Sequence, residues 1–159
     1  MDKVPLIVSA VSISLAIGSA VFSFITYVRN MRHDRKQATL DAFNRLQKQV
    51  FDQLNLISVA RMQEIAADPH SEEYRIVSGY LARLEHFCVG VNQKIYDKKT
   101  VYALAHGYLD GFVKSRIEPM LVQKNRRAEK QDTYYANIRK LLLWMDKENE
   151  KRKQHRAQK

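Results

Sequence analysis

The chain has 159 residues, a formal net charge of +10 at pH 7, five glycines, three prolines and one cysteine. The scarcity of turn residues excludes a β-sandwich or β-barrel, which needs them between its many short strands. A single cysteine excludes an intrachain disulfide and a cysteine-rich zinc site.

The first predicted element is a membrane-spanning helix over residues 4–28, where Tyr27 is the one ionisable side chain. About 20 apolar residues in a helix cross a hydrocarbon core about 30 Å thick. The alternatives are a buried core helix and a signal peptide cleaved near residues 18–20. Because the apolar run continues through residues 21–28, the pattern favours an uncleaved anchor.

The charges on either side of the anchor predict its orientation. Before it, Lys3 is balanced by Asp2. After it, four basic residues follow within eight positions: Arg29, Arg32, Arg35 and Lys36. The positive-inside rule then places the N-terminus outside and the rest of the chain in the cytoplasm. The unpaired Cys88 agrees with a reducing compartment, and the four cations are predicted to contact anionic lipid.

Residues 29–146 are predicted to form a cytoplasmic bundle of about four helices. The first continues from the anchor to about residue 66, and its apolar side chains recur every three or four positions. These are Leu40, Phe43, Leu46, Val50, Leu54 and Ile57. Because Arg61 falls on the same stripe, we expect it to snorkel or to pair with an acid on a neighbouring helix. Residues 68–73 break the chain, and Ser71 is the predicted cap of the second helix.

The second helix has the clearest apolar periodicity in the sequence. Its stripe comprises Tyr74, Val77, Leu81, Leu84, Cys88, Val91 and Ile95. Asp97 is the predicted N-cap of a third helix, and the short connection predicts an antiparallel hairpin. The third stripe comprises Val101, Ala105, Tyr108 and Phe112, flanked by Leu104 and Leu109. Pro119 is expected to kink or restart this helix.

A fourth helix is predicted to be capped near Asp132. Its apolar face comprises Tyr135, Ile138, Leu141, Leu142 and Met145. Residues 147–159 have no apolar stripe and are predicted to form a basic disordered tail. The predicted fold class is therefore all-α, with a transmembrane helix followed by a helical bundle.

One stretch of the second helix carries a family resemblance. Residues 84–91 read LEHFCVGV, and Ile95-Tyr96-Asp97 follows them. This pattern resembles an uncharacterised bacterial family of single-pass, membrane-anchored helical proteins, over residues 5–146. Related helical membrane proteins are assigned to phage exclusion or abortive infection. The resemblance implies an anchored helical domain with such a role, and it supplies no catalytic residue.

The residues that could carry chemistry are scattered. The histidines are His33, His70, His86, His106 and His155. None forms a zinc-binding pair, and the glycine-rich phosphate-binding motifs are missing from the sequence. Helical phase directs His86 and His106 to solvent, which disfavours a Cys88–His106 nucleophile. We therefore predict no enzyme activity, no metal and no cofactor.

Glu85 flanks the core stripe of the second helix and has two interpretations. The favoured one is a partly buried partner for Arg61 or for a tyrosine hydroxyl, since buried charges are normally paired. The other is a functional polar site. Gly90 nearby is expected to allow close approach of helices.

Two further patterns concern partners. Basic residues recur late in the chain as candidate nucleic-acid contacts: Lys124, Arg126, Arg127, Lys151, Arg152 and Lys153. A solvated basic surface is the alternative there. Small residues repeat every four positions on two faces of the anchor and favour self-association. One face carries Ala10, Ser14 and Gly18, and the other carries Ser12, Ala16 and Ala20.

These patterns together predict a membrane-anchored helical interaction protein with a protein partner, linked to phage exclusion through the resemblance. The alternative is a membrane-tethered nucleic-acid-binding protein, and an enzyme is the third choice.

Overall fold

The structure, a computed structural model, describes residues 4–127 and 135–157, excluding the side chains of 4–11, 110, 114 and 123–127. Every regular element in these ranges is helical, which confirms the all-α prediction. The α-helices are α1 (Val4–Leu46), α2 (Asp52–Asn55), α3 (Val59–Ala67), α4 (Glu72–Asn92), α5 (Lys98–Phe112), α6 (Glu118–Arg127) and α7 (Ala136–Ala157). Two π-helical turns, Gln47–Phe51 and Val113–Ile117, connect α1 to α2 and α5 to α6.

The chain divides into two compact units, Met1–Gln37 and Ala38–Lys159. The described part of the first unit is a single stretch of α1. The second unit contains the hydrophobic core, which joins residues of all seven helices and both π turns. The boundary between the two compact units falls after residue 37, beyond the predicted end of the apolar anchor at residue 28.

The helix that enters the second unit ends earlier than predicted. Its predicted apolar positions are buried or half-buried, but α2 ends at Asn55 and Leu56 is 82% exposed. The Ser58 side chain then accepts a hydrogen bond from the Arg61 amide and starts α3. Arg116 donates a hydrogen bond to the carbonyl of Ile57 in this break. The prediction of one helix to about residue 66 is wrong, because the local Ser58 cap and the distant Arg116 side chain stabilise an interruption that the apolar stripe does not reveal.

The start of α4 agrees with its predicted cap, since the Ser71 hydroxyl accepts from the Tyr74 amide. Its end differs from the prediction. Lys94 adopts a left-handed conformation with φ of 64°, and the Ile95 amide bonds back to the Gly90 carbonyl at 2.9 Å. This is the Schellman arrangement that terminates helices. Ile95 therefore lies outside α4 and is 60% exposed, so its assignment to the buried stripe is wrong.

The start of α5 is capped as predicted, because the Asp97 carboxylate accepts from the Thr100 amide at 2.8 Å. The apolar stripe of α5 is buried except at Tyr108, which is 42% exposed. The Tyr108 hydroxyl accepts a hydrogen bond from Asn55, and its ring packs edge-on against Phe51. The kink or restart expected near Pro119 corresponds to the π turn Val113–Ile117, which precedes α6.

The predicted apolar face of α7 is buried, with Leu142 half-buried. Asp132, its predicted cap, lies outside the described residues. The helix continues to Ala157, so the prediction of a disordered tail is wrong for residues 147–157. The Tyr102 hydroxyl donates to Asn149, and the Arg152 guanidinium lies 4.3 Å from the centroid of the Tyr102 ring. These contacts with α5 stabilise helix where the sequence has no apolar stripe.

Candidate membrane-anchoring site

The apolar part of α1 is uncovered. Every side chain in residues 12–27 is exposed. The large apolar ones have exposed fractions between 52% and 72%: Ile13, Leu15, Ile17, Val21, Phe22, Phe24, Ile25 and Tyr27. A soluble monomer rarely exposes so large a continuous apolar surface. One helix in the described part of the chain is long and apolar enough to cross a membrane, and it includes these residues.

The basic cluster follows on the same helix. Arg29, Arg32, Arg35 and Lys36 are all exposed. Arg29, Arg32 and Lys36 are separated by three and four positions, so their side chains lie on one face of the helix. Arg29, Arg32 and Lys36 line a shallow surface of α1 together with the apolar residues Phe24, Ile25 and Val28. The helix therefore changes from apolar to cationic within about one turn.

The small-residue faces lie in the uncovered segment. Gly18 has no heavy atom within 4 Å of the position that a Cβ would take. Ser14 is exposed as well. The Ala10 side chain lies outside the described residues, although its backbone is helical. The space beside Gly18 is wide enough for a second helix to approach closely.

The predicted pairing of Arg61 with Glu85 is wrong. The Arg61 guanidinium forms ion pairs with Glu64 at 2.7 Å and with Glu73 at 2.6 Å. Hydrogen bonds and Coulomb attraction from these two carboxylates raise the pKa of Arg61. Because the helix breaks at residues 56–58, Arg61 no longer continues the apolar stripe and is exposed. Its partners are therefore acids near the start of α4 and on its own helix.

Glu85 instead holds the start of α7. Its Oε2 accepts from the Ile138 amide at 3.0 Å. Its Oε1 accepts from the backbone amide and the side-chain amide of Asn137, at 3.0 and 2.8 Å. Asn92 adds a hydrogen bond to the Asn137 carbonyl. These contacts satisfy amides at a helix N-terminus, so the arrangement stabilises the packing of α4 and α7.

The late basic residues differ in their surroundings. Lys124, Arg126 and Arg127 belong to α6, and their side chains lie outside the described residues. The other three, Lys151, Arg152 and Lys153, are exposed on α7. Arg152 and Lys153 each form an ion pair with a glutamate of the same helix, and the Glu150 hydrogen bond raises the pKa of Lys153. Acidic neighbours thus offset part of the positive charge there.

The Cys88–His106 nucleophile pair, which helical phase disfavours, is not assembled. Cys88 is fully buried, and burial raises the pKa of its thiol, with a smaller contribution from Glu85. His86 and His106 are exposed, as helical phase predicts. The His106 ring stacks on Tyr102, and its Nδ1 lies 2.8 Å from the Tyr102 carbonyl oxygen. Within the described ranges no group of three His, Cys, Asp or Glu side chains is placed to hold a metal ion.

Comparison with known families adds one finding. A family described as a domain of unknown function, DUF4760, matches residues 10–144. The chain belongs to the DUF4760 family. The resemblance to an uncharacterised family is therefore confirmed at that level. No curated protein and no solved structure gives a significant match to this chain.

Sequence reasoning missed one basic cluster, which lies in the second unit of this DUF4760 protein. Lys98, at the start of α5, lies beside a face of α7 that carries Arg139, Lys140 and Lys147. Lys140 and Lys147 are seven positions apart and therefore share a face of the helix, which the sequence does show. The position of Lys98 beside them depends on how α5 packs against α7.

Proposed function

We propose that this protein is a single-pass, membrane-anchored interaction protein of a bacterial inner membrane, with its N-terminus outside and its helical domain in the cytoplasm. One observation supports this most: an uncovered apolar helix leads directly into an exposed cationic cluster at Arg29, Arg32, Arg35 and Lys36. Apolar surface favours the hydrocarbon core. The cations favour the anionic inner leaflet by about 1 kcal/mol for each residue near the surface.

The domain is proposed to bind a protein partner and not to catalyse a reaction. The buried Cys88 thiol and the outward-facing His86 and His106 do not form an active site with one another. Nucleic-acid binding is less favoured, since two of the three described cations at 151–153 have acidic partners. The link to phage exclusion rests on the resemblance and stays a prediction.

Cysteine labelling tests the anchor and its orientation. In a Cys88→Ala background, single cysteines are introduced by Asp2→Cys and by Lys151→Cys. A membrane-impermeant maleimide should label the first variant in intact spheroplasts and the second only after permeabilisation. The opposite pattern would refute the orientation, and release of the protein by alkaline carbonate would refute the anchor. A signal peptide would instead separate the Asp2→Cys label from the mature chain.

Self-association through the anchor is a second part of the proposal. Gly18→Ile fills the open space on one small-residue face, and Ala16→Ile does the same on the other face. If the first face forms the contact, Gly18→Ile reduces crosslinked dimers in detergent, whereas Ala16→Ile leaves them unchanged. Dimers that persist in both variants would exclude both faces.

A further inference from the structure

A cationic cleft lies between the start of α5 and one face of α7. Its volume is about 450 Å³, and it is open to solvent. Its lining includes four basic side chains and two apolar ones: Lys98, Arg139, Lys140, Lys147, Leu143 and Trp144. The cleft belongs entirely to the second unit, so its geometry does not depend on the anchor.

The cleft carries a charge that its own lining does not balance. None of the side chains lining it is acidic, and among the described side chains no carboxylate forms an ion pair with any of the four cations. Arg139 also lines a neighbouring surface with Glu118 and Asp146. The neighbouring Asp97 uses its Oδ1 to cap α5, accepting from the amide and the hydroxyl of Thr100. Elsewhere in the same unit, Arg61, Arg152 and Lys153 all have glutamate partners.

Lys98 is held in place within this cleft. Its Nζ lies 4.3 Å from the centroid of the Trp144 ring, and that ring packs nearly perpendicular to the Tyr102 ring. Burial lowers the pKa of Lys98, and the nearby charge of Lys140 lowers it further. The ammonium is thus partly desolvated beside another cation, a position in which a bound anion would be strongly attracted.

We propose that the cleft formed by Lys98, Arg139, Lys140 and Lys147 binds a phosphate group. Phosphate carries up to two negative charges and several acceptor oxygens, so it can engage several cations at once. A carboxylate has two acceptor oxygens in one plane, whereas the oxygens of a phosphate group are arranged tetrahedrally and can reach cations on both α5 and α7. A soluble phosphorylated compound and a phospholipid headgroup both offer a phosphate group, and titration with each kind of compound distinguishes the two sources.

The position of Trp144 provides a local readout, because it is the single tryptophan of the chain. The full-length protein in lauryl maltoside is titrated with inorganic pyrophosphate and, separately, with monomeric dihexanoyl phosphatidylglycerol. Binding is followed by calorimetry and by Trp144 emission, which should change when the ammonium above the ring is neutralised or displaced. The probe that binds identifies the source of the phosphate.

Two matched double variants make the test specific to the cleft. Lys98→Gln with Lys140→Gln removes two charges from it, and Lys151→Gln with Arg156→Gln removes two exposed charges elsewhere on α7. We expect the first pair to weaken binding by at least about tenfold, from the loss of charge-assisted hydrogen bonds, and the second by less than about twofold. If the first pair does not fold, Lys147→Gln, at an exposed position, should still weaken binding by about threefold.

The inference is overturned if neither probe binds saturably, or if both double variants weaken binding equally. It is also overturned if single-stranded RNA binds and pyrophosphate does not, because general attraction to a polyanion would then explain the basic surface. A failure of the membrane proposal would leave this result unaffected, since the pyrophosphate titration does not depend on insertion into a bilayer.

Discussion

The Glu85 carboxylate on α4 holds the first turn of α7 through Asn137, whose backbone and side-chain amides both donate to Glu85 Oε1. A helix N-terminus is usually capped by the residue that precedes it. Here the capping group comes from another helix, 52 positions away along the chain. The same contact therefore satisfies orphan amides and fixes the position of α7 against α4.

Replacing Glu85 should consequently destabilise the second unit. We expect Glu85→Ala to lower the free energy of unfolding by about 2 kcal/mol, because amides at the start of α7 lose their acceptor. Urea unfolding of the full chain in detergent, followed by Trp144 emission, measures this. The matched control is Glu150→Ala, which removes an exposed ion pair and should cost less than about 0.5 kcal/mol. Equal losses in the two variants would contradict the capping role.

Gly90 and Gly79 lie on the same helix and should respond oppositely to alanine. A Cβ at Gly90 would lie 2.6 Å from Cε2 of Tyr96, whereas at Gly79 it would meet no atom within 4 Å. We expect Gly90→Ala to cost about 1–3 kcal/mol through overpacking against the ring. Gly79→Ala should stabilise the protein by about 0.5–1 kcal/mol, because alanine loses less backbone entropy in a helix. Denaturation midpoints that shift in the same direction for both would contradict this contrast.

Replacing Lys94 by glycine is predicted to stabilise the folded protein. Its φ of 64° is left-handed, a conformation that costs a residue with a Cβ about 1–2 kcal/mol. Part of the gain is offset by the greater freedom of glycine in the unfolded chain, so Lys94→Gly should stabilise by about 0.5–1 kcal/mol. Gln93→Gly is the neighbouring control, since Gln93 has an ordinary φ of −84° and should lose stability. Thermal unfolding followed by circular dichroism should give a higher midpoint for Lys94→Gly and a lower one for Gln93→Gly than for the wild type.

The burial of Cys88 predicts that the stability of the folded protein depends on pH. Burial raises the pKa of its thiol, so the folded protein keeps the proton while the unfolded chain releases it above about pH 8.5. The unfolded state then binds fewer protons, and stability falls as pH rises. Between pH 7.5 and 10 the wild type should lose about 2 kcal/mol relative to Cys88→Ala, which lacks the group. If the free energy of unfolding changes with pH equally in the wild type and in Cys88→Ala, the thiol does not contribute to the pH dependence.

The helices and their buried faces follow largely from local sequence. The alternation from Tyr74 to Val91 predicts the face of α4 that is buried, and Ser71 and Asp97 cap the helices that follow them. Both signals involve residues within a few positions of each other, so no knowledge of the tertiary structure is needed. The apolar run that predicts the anchor is local as well.

Most of the predictions that failed depend on distant contacts, whereas the one for Ile95 failed because of a local turn. Arg61 follows a break that Arg116, in the π turn Val113–Ile117, stabilises through the Ile57 carbonyl, and it pairs with Glu73 on α4. Residues 147–157 are helical next to Tyr102 on α5. Ile95 leaves the apolar stripe because the turn at Lys94 ends α4 first, and lysine is an uncommon residue at a left-handed position.

By itself, the sequence determined an all-helical protein, a helix long and apolar enough to cross a membrane, and most of the faces that form the core. Periodicity and capping act over one or two helical turns, which is why they can be recognised without a structure. Only the tertiary structure decided that Glu85 caps α7 and that Lys98 joins Arg139, Lys140 and Lys147 in one cleft. Such contacts depend on which helices pack together, and apolar stripes alone do not specify the pairing.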